Sequence, residues 1–250
     1  MAPVWNIPHT PNAAELNDPG SIVVWFIDGS GNVVTIPNGH FNPVTKMVTF
    51  RTTHFSDFAV AYQPVVFNDV ASDAWYNEAL SFIAAREITL GTGGGNFSPE
   101  AKLTRGEFIV MIMRANGIAP EQNPTDNFKD AGDTYYTGYL AAAKRLGISV
   151  GIGGNLFDPD RVITRQETFT LLYNALKVIG RFPAVRNDSD APSLSDFADA
   201  EQIDAWAREA MTLLVETGNV SGNAGKLMPR STATRAEAAQ VLYNLLVLRD

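Results

Sequence analysis

Four residues recur in one register at three places: Thr104-Arg105-Gly106-Glu107, Thr164-Arg165-Gln166-Glu167 and Thr234-Arg235-Ala236-Glu237. Threonine followed three residues later by glutamate is a capping box. The hydroxyl accepts from an N–H of the first turn, and the carboxylate accepts from the N–H of the threonine. Each copy predicts a helix start, and repetition predicts an array of like units. A proline stands six residues before each arginine (Pro99, Pro159, Pro229). The register places each arginine at the first helical position, where the helix dipole makes a cation unfavourable by roughly a few tenths of a kcal/mol. One such arginine reads as a plain helix start facing solvent. Three in one register point to an anion site made by arginine and free backbone N–H groups.

The chain has 250 residues, enough for one large domain or a few small ones, and its 45% hydrophobic content supports a folded core. A net charge of -8 without a basic run argues against nucleic acid as a partner. Cysteine is absent, which excludes disulfides, thiol chemistry and cysteine-ligated metals. No apolar run approaches the roughly 20 residues that span a bilayer, so membrane insertion is not expected. Met1-Ala2-Pro3-Val4 has no signal-peptide pattern, and any export signal is expected upstream of residue 1.

Residues 1–63 read as β. Ile22 to Ile27 is an apolar strand, Asp28-Gly29-Ser30-Gly31-Asn32 supplies a turn, and Val33 to Ile36 leads back. A second pair follows, Lys46 to Phe50 with Phe58 to Tyr62. Three or four strands make half a sandwich, so this segment reads as the C-terminal fragment of a larger β domain. His9, His40 and His54 lie scattered among turns without a carboxylate cluster, and no metal or catalytic role is assigned to them.

From Val65 the period becomes helical and the sequence repeats. Units begin Phe67-Asn68-Asp69, Phe128-Lys129-Asp130 and Phe197-Ala198-Asp199, and an aromatic follows at Trp75, Tyr136 or Trp206. Each aromatic is read as opening an amphipathic helix, as in Trp75, Ala79, Phe82 and Ile83. A glycine then breaks the chain (Gly91, Gly151, Gly222). A Gly/Asn-rich loop and an apolar-x-Pro step lead into the Thr-Arg-x-Glu helix. The Asp-to-Arg separations are 36, 35 and 36 residues (Asp69 to Arg105, Asp130 to Arg165, Asp199 to Arg235). Two helices with one apolar stripe each bury little alone, whereas three units packed together form a core. The repeats are placed at 65–118, 126–181 and 194–250, with a flexible connector from Arg181 to Ser193.

Phe-x-Asp, the aromatic, the glycine, Phe-x-Pro and Thr-Arg-x-Glu, in this order and three times over, resemble the surface-layer homology (SLH) domain. The match covers residues 65–250. The resemblance implies a mainly α fold, three helix-loop-helix repeats in a pseudo-threefold spindle, with the small β segment ahead of it. It implies a secreted protein held non-covalently at the cell wall or S-layer through secondary cell wall polysaccharide, typically a pyruvylated amino sugar. It points first to Arg105, Arg165 and Arg235 as ligand residues, with Asp69, Asp130, Asp199 and Trp75, Tyr136, Trp206 near them.

The residue chemistry agrees. A pyruvyl ketal carries one carboxylate, which suits an arginine fork, aromatics offer a flat face to a sugar ring, and Gly91, Gly151 and Gly222 let backbone approach a glycan. The aspartates serve equally well as caps on backbone N–H groups, and Glu107, Glu167 and Glu237 as capping-box partners. The glycine loops lack the context of a phosphate loop, and neither cofactor nor metal is expected. No catalytic constellation stands out, so the chain is not read as an enzyme. The alternatives are a helical-repeat module that binds another protein, and the anchor of a surface enzyme whose catalytic domain lies upstream. The third copy departs furthest, with Leu227-Met228-Pro229 and Asn219-Val220-Ser221, so Arg235 is expected to matter less than Arg105 and Arg165. Residues 65–250 are expected to fold without 1–63.

Overall fold

The structure, a computed structural model, describes residues 3–52, 57–183 and 192–247. The chain divides into two compact units, Met1–Pro99 and Glu100–Asp250. The division therefore falls inside the first repeat.

The first unit holds β1 (Val4–Pro8), α1 (Ala13–Asn17), β2 (Ile22–Ile27), β3 (Val33–Ile36), β4 (His40–Asn42), β5 (Met47–Arg51), β6 (Asp57–Tyr62) and α2 (Asn77–Ala85). The strands form two antiparallel three-stranded sheets, in the orders β1-β5-β4 and β3-β2-β6. The β2–β3 hairpin forms where its turn chemistry places it. The Asp28 carboxylate accepts from the N–H groups of Ser30 and Asn32, and Val24 pairs with Ile36. The second expected pair does not form. β5 pairs with β1 and β4, and β6 with β2, because alternate residues of both sheets fill one core. That core is Ile22, Val24, Phe41, Val48 and Phe50, flanked by Ile7, Ile36, Phe58, Val60 and Tyr62.

Arg86, just past the end of α2, is buried and ties that helix to the sheets. Its Nε and Nη2 donate to the Gly39 carbonyl at 3.0 and 2.6 Å. Nη1 reaches the Gly20 and Phe82 carbonyls at 2.7 and 2.9 Å, and Nη2 the Ile22 carbonyl at 2.9 Å. The guanidinium also lies 3.4 Å from the centroid of the Phe82 ring. A fork that satisfies four carbonyls at once anchors the first helix of the first repeat onto the β unit. This bears against the expectation that residues 65–250 fold by themselves.

The second unit holds α3 (Arg105–Ala115), α4 (Thr137–Arg145), α5 (Arg165–Ile179), α6 (Arg208–Glu216) and α7 (Arg235–Val247). Their apolar stripes meet in a core that includes Phe108, Ile112, Leu140, Phe169, Leu214 and Leu242. The segments ahead of α3, α5 and α7 close a ring of main-chain hydrogen bonds. Leu103 N–H donates to Ala233, Ala233 to Ile163, and Ile163 back to Leu103, at 3.1, 3.1 and 2.9 Å. Three repeats linked head to tail in this way leave no free end to the array.

The mainly α expectation is corrected. The chain is 36% helical and 18% strand, with two antiparallel sheets. Among the described residues six strands form where three or four were read, since the short β1 and β4 carry little periodicity of their own. The helices α2, α4 and α6 have only nine residues each, so much of each repeat is loop. His54 and most of the connector from Arg181 to Ser193 lie outside the described residues.

Arg86→Met keeps the stem and removes the fork, stranding buried carbonyls. It is expected to lower unfolding free energy by about 3 kcal/mol. Urea unfolding of the whole chain measures this, and a loss below about 0.5 kcal/mol would show that the fork does not hold the unit.

Candidate functional site

The three Thr-Arg-x-Glu segments form capping boxes in each copy. Thr104 N–H donates to Glu107 Oε2 at 2.9 Å, Thr164 N–H to Glu167 Oε2 at 2.9 Å, and Thr234 N–H to Glu237 Oε2 at 2.8 Å. The return bonds, from the glutamate N–H to the threonine hydroxyl, run from 3.2 to 3.4 Å. The free N–H groups expected beside each arginine are already taken. Arg105 N–H donates to Arg161, Gly106 N–H to Pro159, Arg165 N–H to Ser231, Gln166 N–H to Pro229, and Arg235 N–H to Ala101. The helix ends thus serve ring closure.

The arginines do not face open solvent. Arg105 and Arg235 are each 4% exposed. Each guanidinium leaves its own repeat and lands on the capping glutamate of another. Arg105 Nη1 reaches Glu167 Oε1 at 3.0 Å, Arg165 Nη1 reaches Glu237 Oε1 at 2.9 Å, and Arg235 Nη1 reaches Glu107 Oε1 at 2.8 Å. The result is a cyclic relay of charge in which every glutamate both caps its own helix and receives a foreign arginine. The Nε edges are used as well: Arg105 donates to the Phe157 carbonyl and Arg165 to the Leu227 carbonyl, both at 2.8 Å. Burial pulls Arg105 below its ordinary value, Glu167 opposes this, and an arginine remains charged at neutral pH.

The aspartates brace loops. Asp69 accepts from the N–H groups of Phe97 and Ser98, Asp130 from Phe157 and Asp158, and Asp199 from Leu227 and Met228, all between 2.7 and 3.1 Å. Each carboxylate therefore pins the apolar-x-Pro step of its own repeat. The glycines have a matching packing reason. At Gly91, Gly151 and Gly222, φ is 78°, 77° and 66°. A Cβ there would overlap a carbonyl oxygen of the loop (Asn96, Leu156, Lys226) and the ring of Phe67, Phe128 or Phe197.

Among the aromatics, Trp75 and Trp206 are exposed, whereas Tyr136 is buried with its hydroxyl 3.1 Å from Asp160 Oδ1. The helices fix the alignment: Tyr76, Tyr136 and Ala207 are the N-caps of α2, α4 and α6. The counterpart of the two tryptophans is thus Tyr135, 62% exposed, which the sequence reading missed by one place. Counting back from the helix start, not forward from the aspartate, finds it.

In the second unit Arg105, Glu167, Ser149, Gly151 and Trp206 line one cleft of about 370 Å³. The first repeat supplies the cation, the second the loop wall and carboxylate, and the third the indole. Its size lies in the range of small-molecule sites. Tyr135 stands correspondingly within the electrostatic field of Arg235 and Glu107. Arg161, also unassigned from sequence, grips Glu167 at 2.6 Å. An aromatic face beside a guanidinium and a glycine loop can meet a flat group that carries negative charge.

Known proteins were compared with the chain. A family model described as S-layer homology domain matches residues 66–109, 127–169 and 196–239. The amylopullulanase of Thermoanaerobacterium thermosulfurigenes is 30% identical over 240 residues, 95% of this chain and 12% of that protein. The S-layer protein sap of Bacillus anthracis is 29% identical over 186 residues, 73% of this chain and 21% of its own length. The exoglucanase XynX of Acetivibrio thermocellus is 28% identical over 238 residues, 94% of this chain and 20% of its own. The chain thus spans between 12% and 21% of the length of these relatives.

Glu167 carries a pH prediction. Burial opposes its ionisation, yet the Arg161 fork, the Thr164 N–H and hydroxyl, and the charge of Arg105 hold the carboxyl below its ordinary 4.5. A depressed carboxyl contributes stability that is fully present above the unfolded-state value and is lost as pH falls through the folded one. Glu167→Gln should therefore destabilise the chain at neutral pH by about 3 kcal/mol. The gap to wild type should close below pH 4.5. Melting curves across that range test this, and a gap that stays constant into acid would contradict it.

Proposed function

Since the chain belongs to the S-layer homology family, we propose that it anchors a surface protein to the cell wall by binding anionic secondary cell wall polysaccharide. The observation that carries this reading is the cleft in which Arg105, Gly151 and Trp206, one from each repeat, converge. A carboxylate on a sugar, such as a pyruvyl ketal, matches it chemically. The buried guanidinium spends Nε and Nη1 on the protein, and among the described residues no bond is formed by Nη2. The indole edge of the cleft supplies a stacking face for the ring, and Gly151 keeps the wall low enough for close approach.

The same reading assigns Arg165 and Arg235 to related places and gives the exposed Tyr135 the part first given to Tyr136. Asp69, Asp130, Asp199, Gly91 and Gly222 support the site through the loops they shape. No helix among the described residues is long and apolar enough to cross a membrane. The family's S-layer relatives are surface proteins. The amylopullulanase and exoglucanase relatives extend far beyond the part that this chain matches.

Purified wall polysaccharide should retain the chain, and chemical removal of its ketal pyruvate should release it. Replacing Arg105, Arg165 and Arg235 together by lysine keeps the charges and loses the planar forks. A charge-assisted pair contributes about 1.5–3 kcal/mol, or roughly 10- to 150-fold in affinity, and lysine should lose only the part of this that depends on the fork. Melting curves run alongside separate this from unfolding. Retention on polysaccharide stripped of pyruvate would refute the carboxylate as the recognised group.

A further inference from the structure

The three arginines are placed alike along the chain, but their surroundings differ. We propose that the cleft built on Arg105 is the principal saccharide site of this chain, and that the loop of the third repeat impairs the corresponding place around Arg165. This rests on the saccharide-binding reading above and ranks the sites within it.

The argument begins with the displacement of each guanidinium. Arg105 belongs to the first repeat but contacts the Phe157 carbonyl and Glu167 of the second. The loop beside it is therefore the second repeat's, with Ser149 and Gly151. By the same step Arg165 contacts the Leu227 carbonyl and Glu237, so its neighbouring loop is the third repeat's. The departures of the third copy, which the sequence alone assigns to Arg235, bear on Arg165 instead.

Those departures are chemical. Ser149 Oγ accepts the Gly151 N–H at 3.1 Å, which leaves its own proton for a ligand. The matching residue two places before Gly222 is Val220, which is buried and has no hydroxyl. Next to it stands Asn219, 1% exposed, where the second repeat has Ile148. Its Nδ2 donates to Thr217 Oγ1 at 2.8 Å, but its Oδ1 is buried without a partner. A buried carbonyl oxygen without a partner weakens the loop beside Arg165 that should hold a ligand.

Charge points the same way. Glu167 is shared by Arg105 and by Arg161, whose Nη2 lies 2.6 Å from the same Oε1. Asp158, which is half-buried, accepts from the Nε edge of Arg161 at 2.9 Å. Four residues before Arg105 and Arg235, where Arg161 precedes Arg165, stand Ala101 and Ser231. With its carboxylate partner held twice, Arg105 keeps more of its positive potential for a ligand than Arg165 does opposite Glu237.

The test is calorimetric titration of the whole chain with a methyl glycoside of ketal-pyruvylated N-acetylmannosamine. Trp206 is 54% exposed, so Trp206→Ala leaves the core intact. It should weaken the tightest site at least tenfold, and Arg105→Lys should cost several times more affinity than Arg165→Lys. Val220→Ser, which restores the hydroxyl, should strengthen a weaker site or add one. Equal losses for the two lysine variants, or an unchanged tight site in Trp206→Ala, would overturn the ranking. No change with Val220→Ser would overturn the role given to the hydroxyl. A wild-type chain that takes up no saccharide would overturn the binding reading together with the ranking, whereas saccharide binding with Trp206→Ala unaffected would overturn the ranking alone.

Discussion

The fold of the second unit depends on one repeated ion pair, an arginine of one repeat on the capping glutamate of another. Its strength comes from where it sits. The guanidiniums of Arg105 and Arg235 are almost wholly withdrawn from water, so their attraction to Glu167 and Glu107 is not screened as a surface pair would be. Burial of a cation is tolerable only because Nε finds a carbonyl and Nη1 a carboxylate. The glutamate in turn is fixed in position by the threonine N–H of its own helix. Helix capping and repeat assembly are therefore one event: a misplaced cap would leave a buried arginine without its partner.

That coupling makes the short motif structural first, and the ligand role proposed for it must use what assembly leaves over. The part of the guanidinium used for assembly is the Nε and Nη1 side. The loop wall next to it is held by an aspartate that uses both carboxylate oxygens on backbone N–H groups, as Asp130 does for Phe157 and Asp158. Rigid supports of this kind hold the guanidinium of Arg105 and the loop at Phe157 and Asp158 in one arrangement.

Much of this was legible in the residues. Thr-x-x-Glu specifies the caps because a capping box is local, and the three helix starts sit where the motif puts them. The partner of each arginine was not legible, since it lies 62, 72 or 128 residues away and periodicity carries no information over that range. Reading a single such arginine as facing solvent considers its own helix start alone, whereas its burial comes from the rest of the chain. Tyr135 is not legible from the aspartate, because Trp75 lies six residues after Asp69 but Trp206 seven after Asp199. The aspartates offered two readings, and only the position of the loop N–H groups favours the bracing one. In the β segment, the hairpin with a strong turn was legible. Short strands such as His40–Asn42 gained their order from the sheet they join, not from their own pattern.

The ring has a consequence for when the molecule becomes competent. Arg165 closes on Glu237, and Arg235 closes on Glu107, so two of the three cyclic pairs need residues from the third repeat. Leu103 likewise waits for Ala233. Such contacts between distant parts of the chain form late and together, because loop closure must precede them. A chain that has not yet delivered its third repeat holds Arg165 without its carboxylate and Glu107 without its arginine. The cleft lined by Trp206 does not exist for it. Assembly of the third repeat is thus a precondition for the cleft itself, and on the proposed reading it is also the point at which binding becomes possible.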